Sequence, residues 1–143
     1  MRLRYLAVAI SLVLKYMTIV MLAPICVALY FKDFHSAIAF GVTLLINFVL
    51  GFALNPKRIQ PDLLNDFKKT EALGTVAFSW IILSFISMIP YLFYGLTPIN
   101  SLFEAVSGIT TTGATILTDF SIYPKTLFFW RSFTQWLDRK SVV

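Results

Sequence analysis

The sequence predicts an all-α integral membrane protein: two N-terminal transmembrane helices followed by an incomplete helix–pore loop–helix repeat. Three observations predict it. Of the 143 residues, 58% are hydrophobic and 13% charged, about half the charge of an ordinary soluble domain. Three apolar runs reach the roughly 20 residues that a helix needs to cross the hydrocarbon layer. A fourth is too short to cross, and it leads directly into Thr110-Thr111-Thr112-Gly113-Ala114-Thr115.

The first run follows Met1-Arg2-Leu3-Arg4 and predicts a helix from Tyr5 to Tyr30. It is about twice the length of a signal-peptide core. Lys15 within it either snorkels to an interface or faces other helices, and Pro24 predicts a kink. Cys26, the only cysteine, reads as a buried inert thiol. The bulky Ile25 before it argues against a lipoprotein acceptor. Lys32 to Ser36 is a polar turn, and His35 reads as an exposed loop histidine. The turn is short, so the second helix, Ala37 to Leu54, must fold back on the first. Asn47, its one strongly polar residue, reads as an interhelical hydrogen-bond partner. Residues 1–54 therefore form a transmembrane helix hairpin.

Residues 55–70, NPKRIQPDLLNDFKKT, are the one long polar stretch, with Leu63 to Phe67 expected along the membrane surface. Arg2, Arg4, Lys57, Arg58, Lys68 and Lys69 flank one side of the predicted spans, against Lys32 on the other. Cytoplasmic segments hold the excess of Lys and Arg. The N-terminus and this basic loop are thus expected in the cytoplasm. In this setting the net charge of +5 encodes topology and not nucleic-acid binding. A third helix, Ala72 to Tyr94, carries Trp80 and Pro90.

Pro98 and Ser101 are helix-start residues. A helix from Pro98 to Ile109 rises about 18 Å, against about 30 Å of hydrocarbon. It can enter a membrane only part way. The Thr/Gly string follows it, and a further apolar run opens at Thr126. Non-helical backbone at membrane depth is tolerated only inside protein or beside water. There the carbonyls of such a string can replace the hydration shell of a cation. Gly113 supplies dihedrals closed to other residues, and the threonine hydroxyls either add ligands or brace the loop. The C-terminal end of the half-length helix would point its partial negative charge at the ion.

Ser101-Leu102-Phe103-Glu104-Ala105-Val106-Ser107-Gly108-Ile109, continued by Thr110 to Thr115, resembles the first pore loop of Trk-type potassium uptake proteins. That superfamily also includes the Ktr and plant HKT-type transporters. The resemblance reaches back through both N-terminal helices and on to Trp130-Arg131-Ser132-Phe133-Thr134-Gln135-Trp136-Leu137. It implies one pore built in a single chain from four non-identical repeats, with two extra helices in front. Residues 71–137 would then be the first repeat. Thr111, Thr112, Gly113 and Ala114 would be the selectivity filter, with Thr110 and Thr115 flanking it. The same resemblance implies potassium transport across the cell inner membrane, with K⁺ as the transported ion and no cofactor. It also implies a cytoplasmic nucleotide-binding regulatory subunit and a homodimer in the full-length parent. After Leu137 the family continues with glycines. Here Asp138-Arg139-Lys140-Ser141-Val142-Val143 follows, an atypical and truncated tail, and the span from Thr126 to Leu137 is too short to cross. A chain carrying one filter loop of four is not expected to conduct alone.

Single residues have competing readings. Glu104 on the half-length helix either attracts cations or braces the loop, and as a buried charge it needs partners. Asp119 reads as a solvated loop aspartate. Arg131 could pair with either carboxylate, with interface snorkelling the plainer account. No phosphate loop, metal-ligand spacing or nucleophile–base pair points to an enzyme. Two other functions fit the composition: a one-loop homotetrameric cation channel, which usually carries two filter glycines, and a membrane protein that transports nothing.

Overall fold

The computed structural model describes residues 3–54, 69–118 and 121–141. Most of the basic loop, including Lys57, Arg58 and Leu63 to Phe67, lies outside these residues, as does Asp119. All the regular structure described is helical: α1 Leu3–Val20, α2 Leu22–Tyr30, α3 Phe34–Ala53, α4 Lys69–Ser87, α5 Ile89–Phe93, α6 Pro98–Ile109 and α7 Lys125–Ser141. Three stretches are long and apolar enough to cross a membrane: Ala7–Tyr30, Phe34–Ala53 and Leu73–Phe93. Large apolar side chains stay exposed on all of them, among them Leu45, Phe48, Val49 and Phe52 of α3. In lipid such faces carry no hydrophobic penalty.

Prolines divide two of the spans. The first was expected as one kinked helix; it breaks at Met21, three residues before Pro24. Pro24 has no N–H for the carbonyl one turn back, so the disruption appears in the preceding turn. Pro90 acts in the same way at Met88. There the Tyr91 N–H turns to the Met88 carbonyl at 3.1 Å. The Ser87 carbonyl instead accepts from the indole N–H of Trp130 on α7, at 3.4 Å. Trp130 is fully buried and meets Phe40 of α3 edge-on at 5.5 Å. Around this contact sit Leu14, Met21, Ile86, Tyr91 and Leu127, which form the core.

The hairpin turn is tighter than the sequence suggests. Lys32 takes a left-handed φ of 56°. The Lys32 and Asp33 N–H groups close back on Leu29 and Ala28 at 3.1 and 2.9 Å, a Schellman end to α2. Asp33 then caps α3 by accepting from the Ser36 N–H at 3.1 Å. His35 therefore lies in the first turn of α3, not in a loop, with its ring beside those of Phe93 and Tyr94. The Ser36 hydroxyl bonds both the Asp33 carboxylate and the Tyr94 hydroxyl. Burial pushes the Tyr94 hydroxyl above the usual phenol range, so it remains neutral. This cluster ties the hairpin to the end of α5.

Toward the protein α3 turns Ser36, Ala39, Phe40, Thr43, Asn47 and Gly51. Mostly small or polar residues thus face inward and large apolar ones outward, as helices pack in membranes. Asn47 donates to the Leu14 carbonyl and the Thr18 hydroxyl of α1, both at 2.8 Å, as its sequence context predicts. Lys15 lies 5.8 Å from the Phe52 ring and so faces α3. Cys26 does not follow its expectation and is exposed on α2. Pro24 and Ala28 define the inward face, and a residue two positions from Pro24 points about 200° away.

The half-length helix has the predicted bounds, but its cap is Thr97, not Ser101. The Thr97 hydroxyl accepts from the Asn100 N–H at 3.3 Å, Pro98 takes the first helical position, and Ser101 is buried inside the helix. Lys69 and Thr70 belong to α4, so the polar stretch is two residues shorter than expected. Helix α7 continues through the charged residues after Leu137, and 138–141 are helical. It is not among the spans long and apolar enough to cross.

Candidate functional site

The Thr110–Thr115 segment begins where α6 ends, and the end of α6 shapes it. The N–H groups of Thr111 and Thr112 close back on the Gly108 and Ser107 carbonyls at 3.3 and 3.1 Å. This is again a Schellman end, whose left-handed residue is usually glycine. Here it is Thr111, with φ 53°. A β-branched residue there is an outlier that its surroundings must hold in place. The chain then leaves the helix, and Gly113 takes φ 76°. Nothing lies within 4 Å of a Cβ built on Gly113. Glycine is needed there for its backbone angle, not for space.

Three side chains hold the segment from behind. Ser107 accepts the Thr112 and Gly113 N–H groups on its carbonyl, at 3.1 and 3.5 Å. Its hydroxyl donates to the Ala114 carbonyl at 2.5 Å. Glu104, fully buried on α6, accepts on Oε1 from the Thr115 hydroxyl and the Ile116 N–H, both at 2.7 Å. Its Oε2 accepts from Arg131 Nε at 3.0 Å. Arg131 comes from α7, is 17% exposed, and from Nη2 donates to the Gly113 and Ala114 carbonyls at 2.8 and 3.0 Å. Of the two readings of Glu104, the geometry is that of a brace. Arg131 pairs with Glu104 and does not snorkel.

The threonine hydroxyls are mostly engaged as well. Thr110 donates to the Val106 carbonyl at 2.8 Å, and its hydroxyl meets that of Thr112 at 2.8 Å. Thr115 is tied to Glu104 and accepts from the Leu117 N–H at 3.1 Å. Among the described residues, the carbonyls of Thr111 and Thr112 receive no hydrogen bond. Thr112 to Ile116 are exposed along an open face. The arrangement thus offers two carbonyl oxygens of the kind that ligates a hard cation. The other two are differently placed. A cation sharing an oxygen with the guanidinium would sit near a like charge, and at about 4 Å two unit charges repel by about 4 kcal/mol at an effective dielectric of about 20.

The structure brings together all the sequence-predicted site residues, Glu104 and Thr110 to Thr115. Sequence reasoning missed the clamp of Arg131 on the loop carbonyls, the part played by Ser107, and the left-handed Thr111. It also missed Gly108, where a Cβ would meet Thr134 Oγ1 of α7 at 2.6 Å. Gly108 therefore lets the end of α6 rest directly on α7.

Comparison with known proteins follows the same segments. The chain is 35% identical over 119 residues to the Trk system potassium uptake protein TrkG of Escherichia coli, covering 78% of this chain and 23% of that one. It is 30% identical over 131 residues to the uncharacterized cation transporter MJ1485 of Methanocaldococcus jannaschii, covering 87% and 26%. The crystal structure of the potassium transporter TrkH from Vibrio parahaemolyticus matches with a TM-score of 0.89 at 27% identity, over 99% of this chain and 30% of that one. The chain thus spans less than a third of the length of these relatives. The family model described as TrkH, cation transport protein, matches residues 32–143. With the fold, the half-length helix and the loop it carries all in agreement, the chain belongs to the TrkH cation transport protein family.

Proposed function

We propose that this chain supplies the first of four filter loops of a Trk-type potassium uptake protein. The observation that carries the proposal is the exposed, non-helical Thr110–Thr115 backbone at the end of a helix only 12 residues long. That backbone occurs in a fold shared with a potassium transporter. Thr111, Thr112, Gly113 and Ala114 line the ion path, Thr110 and Thr115 flank it, and Glu104 braces it. K⁺ is the ion carried. The loop lies within the membrane, where irregular backbone must be covered by protein or water, and the remaining three repeats cover its open face. The N-terminus and the basic loop face the cytoplasm, following the distribution of Lys and Arg. In the whole protein a cytoplasmic nucleotide-binding subunit regulates the pore and the assembly is a dimer. The chain works as a transporter part and not as an enzyme, and one loop of four does not conduct alone.

A chimera tests this reading. Residues 1–143 replace the matching 30% of Vibrio parahaemolyticus TrkH, expressed in a bacterial host lacking potassium uptake. The chimera is expected to restore growth at low potassium. Gly113→Ser forces a side chain into the left-handed region, at a cost of about 1–2 kcal/mol. That variant is expected to reduce the preference of uptake for K⁺ over Na⁺ about tenfold, the equivalent of 1.4 kcal/mol. No rescue by the chimera, together with an unchanged ion preference in the variant, would overturn the assignment.

A further inference from the structure

We infer that Arg131 is a positioning residue that determines which oxygens of this loop face the ion. Its guanidinium withholds the carbonyls of Gly113 and Ala114, and the loop presents those of Thr111 and Thr112. The inference rests on the filter reading above. The simplest form of that reading gives all four carbonyls to the cation; the geometry divides them into two pairs.

A carbonyl oxygen has two lone pairs. At Ala114 both are committed, one to the Ser107 hydroxyl at 2.5 Å and one to Arg131 Nη2 at 3.0 Å. The Gly113 carbonyl takes the same Nη2 at 2.8 Å. A cation on either oxygen would share it with a positive charge. The guanidinium cannot swing away freely, because Glu104 holds its Nε at 3.0 Å. Glu104 is in turn fixed by Thr115 and Ile116. The carbonyls of Thr111 and Thr112 have no such partner among the described residues. The left-handed Thr111 lies at the point where the backbone turns from the helix into this free pair. The number and field strength of the coordinating carbonyls govern discrimination between K⁺ and Na⁺. A side chain that removes two of them from the ion path therefore sets ion preference, although it touches no ion itself.

The competing account is bracing alone, in which any hydrogen-bond donor would serve. Arg131→Gln keeps a donor and loses the charge; Arg131→Lys keeps the charge. In the chimera, Rb⁺ and Na⁺ uptake into membrane vesicles is measured for both variants. Arg131→Gln is expected to lower the Rb⁺ over Na⁺ preference about tenfold, a change on the scale of one charge-assisted hydrogen bond. Arg131→Lys is expected to restore most of it. If both variants change only the maximal rate, with the preference unaltered, Arg131 is a brace and the inference is wrong. Failure of the unsubstituted chimera to take up Rb⁺ would instead overturn the filter reading.

A second measurement does not depend on transport. In the 143-residue chain reconstituted in lipid bilayers, solid-state NMR dipolar couplings between carbonyl ¹³C and arginine side-chain ¹⁵N report the clamp. Close contacts are expected at Gly113 and Ala114 and should vanish in Arg131→Gln. Their absence in the unsubstituted chain would overturn the inference, whatever the uptake shows.

Discussion

Glu104→Ala is expected to destabilise the chain by about 3 kcal/mol, the lower end of the range for removing one partner of a buried ion pair. Glu104 is fully buried and makes three bonds, to Thr115, Ile116 and Arg131. Alanine removes all three. The guanidinium is left without its counter-charge but keeps some solvent and its two carbonyl bonds, and for that reason the lower end applies. Glu104→Gln keeps an amide oxygen for Thr115 and Ile116 and should cost less. The check is reversible unfolding of the chain in detergent micelles, followed by circular dichroism. The double variant Glu104→Ala/Arg131→Ala should cost less than the sum of the single ones, because the uncompensated charge is gone. A loss below about 1 kcal/mol for Glu104→Ala, typical of a surface pair, would show that the carboxylate does not brace the loop.

Gly108→Ala should destabilise the chain by about 1–3 kcal/mol, as overpacking of a filled core does. Two terms compete. Alanine in place of a helical glycine gains up to about 1 kcal/mol. Against that, the new Cβ would lie 2.6 Å from Thr134 Oγ1, and something must move. Thr134 gives little. It is buried and β-branched, and its hydroxyl donates to the Arg131 carbonyl at 2.9 Å. The clash therefore outweighs the propensity. Adding Thr134→Ala removes the offending oxygen, so the double variant should be at least as stable as Thr134→Ala alone. Unfolding of the four proteins in micelles gives the coupling directly. Additive effects would mean that α6 and α7 do not touch at this point.

These contacts mark where sequence reading stops. Helix α6 was legible to the residue because Pro98 and the Thr/Gly string punctuate both of its ends. The Asn47 bond to α1 was legible too, since a lone strongly polar residue in an apolar span needs a partner nearby. Cys26 was misread because an apolar run does not say which face points inward. The helix breaks at Met21 and Met88 fall upstream of their prolines, where the missing donor is felt. The left-handed Thr111 was hidden because a helix-ending left-handed position normally reads as glycine, and the nearest glycine is two residues further on. The Glu104–Arg131 pair joins residues 27 apart on two helices, and no local spacing links them. The family string contained both residues without saying that they meet, or that the guanidinium reaches on to Gly113 and Ala114.

The account turns on whether the Thr110–Thr115 backbone lines a path that K⁺ occupies. Cysteine placed at Thr112 of the chimera, with Cys26 and all other native cysteines replaced, tests this directly. A water-soluble methanethiosulfonate reagent, added on the side where the Lys32 turn emerges, is expected to block Rb⁺ uptake, and millimolar K⁺ should slow the block severalfold. Modification that leaves uptake intact, or that proceeds at the same rate with and without K⁺, would contradict it.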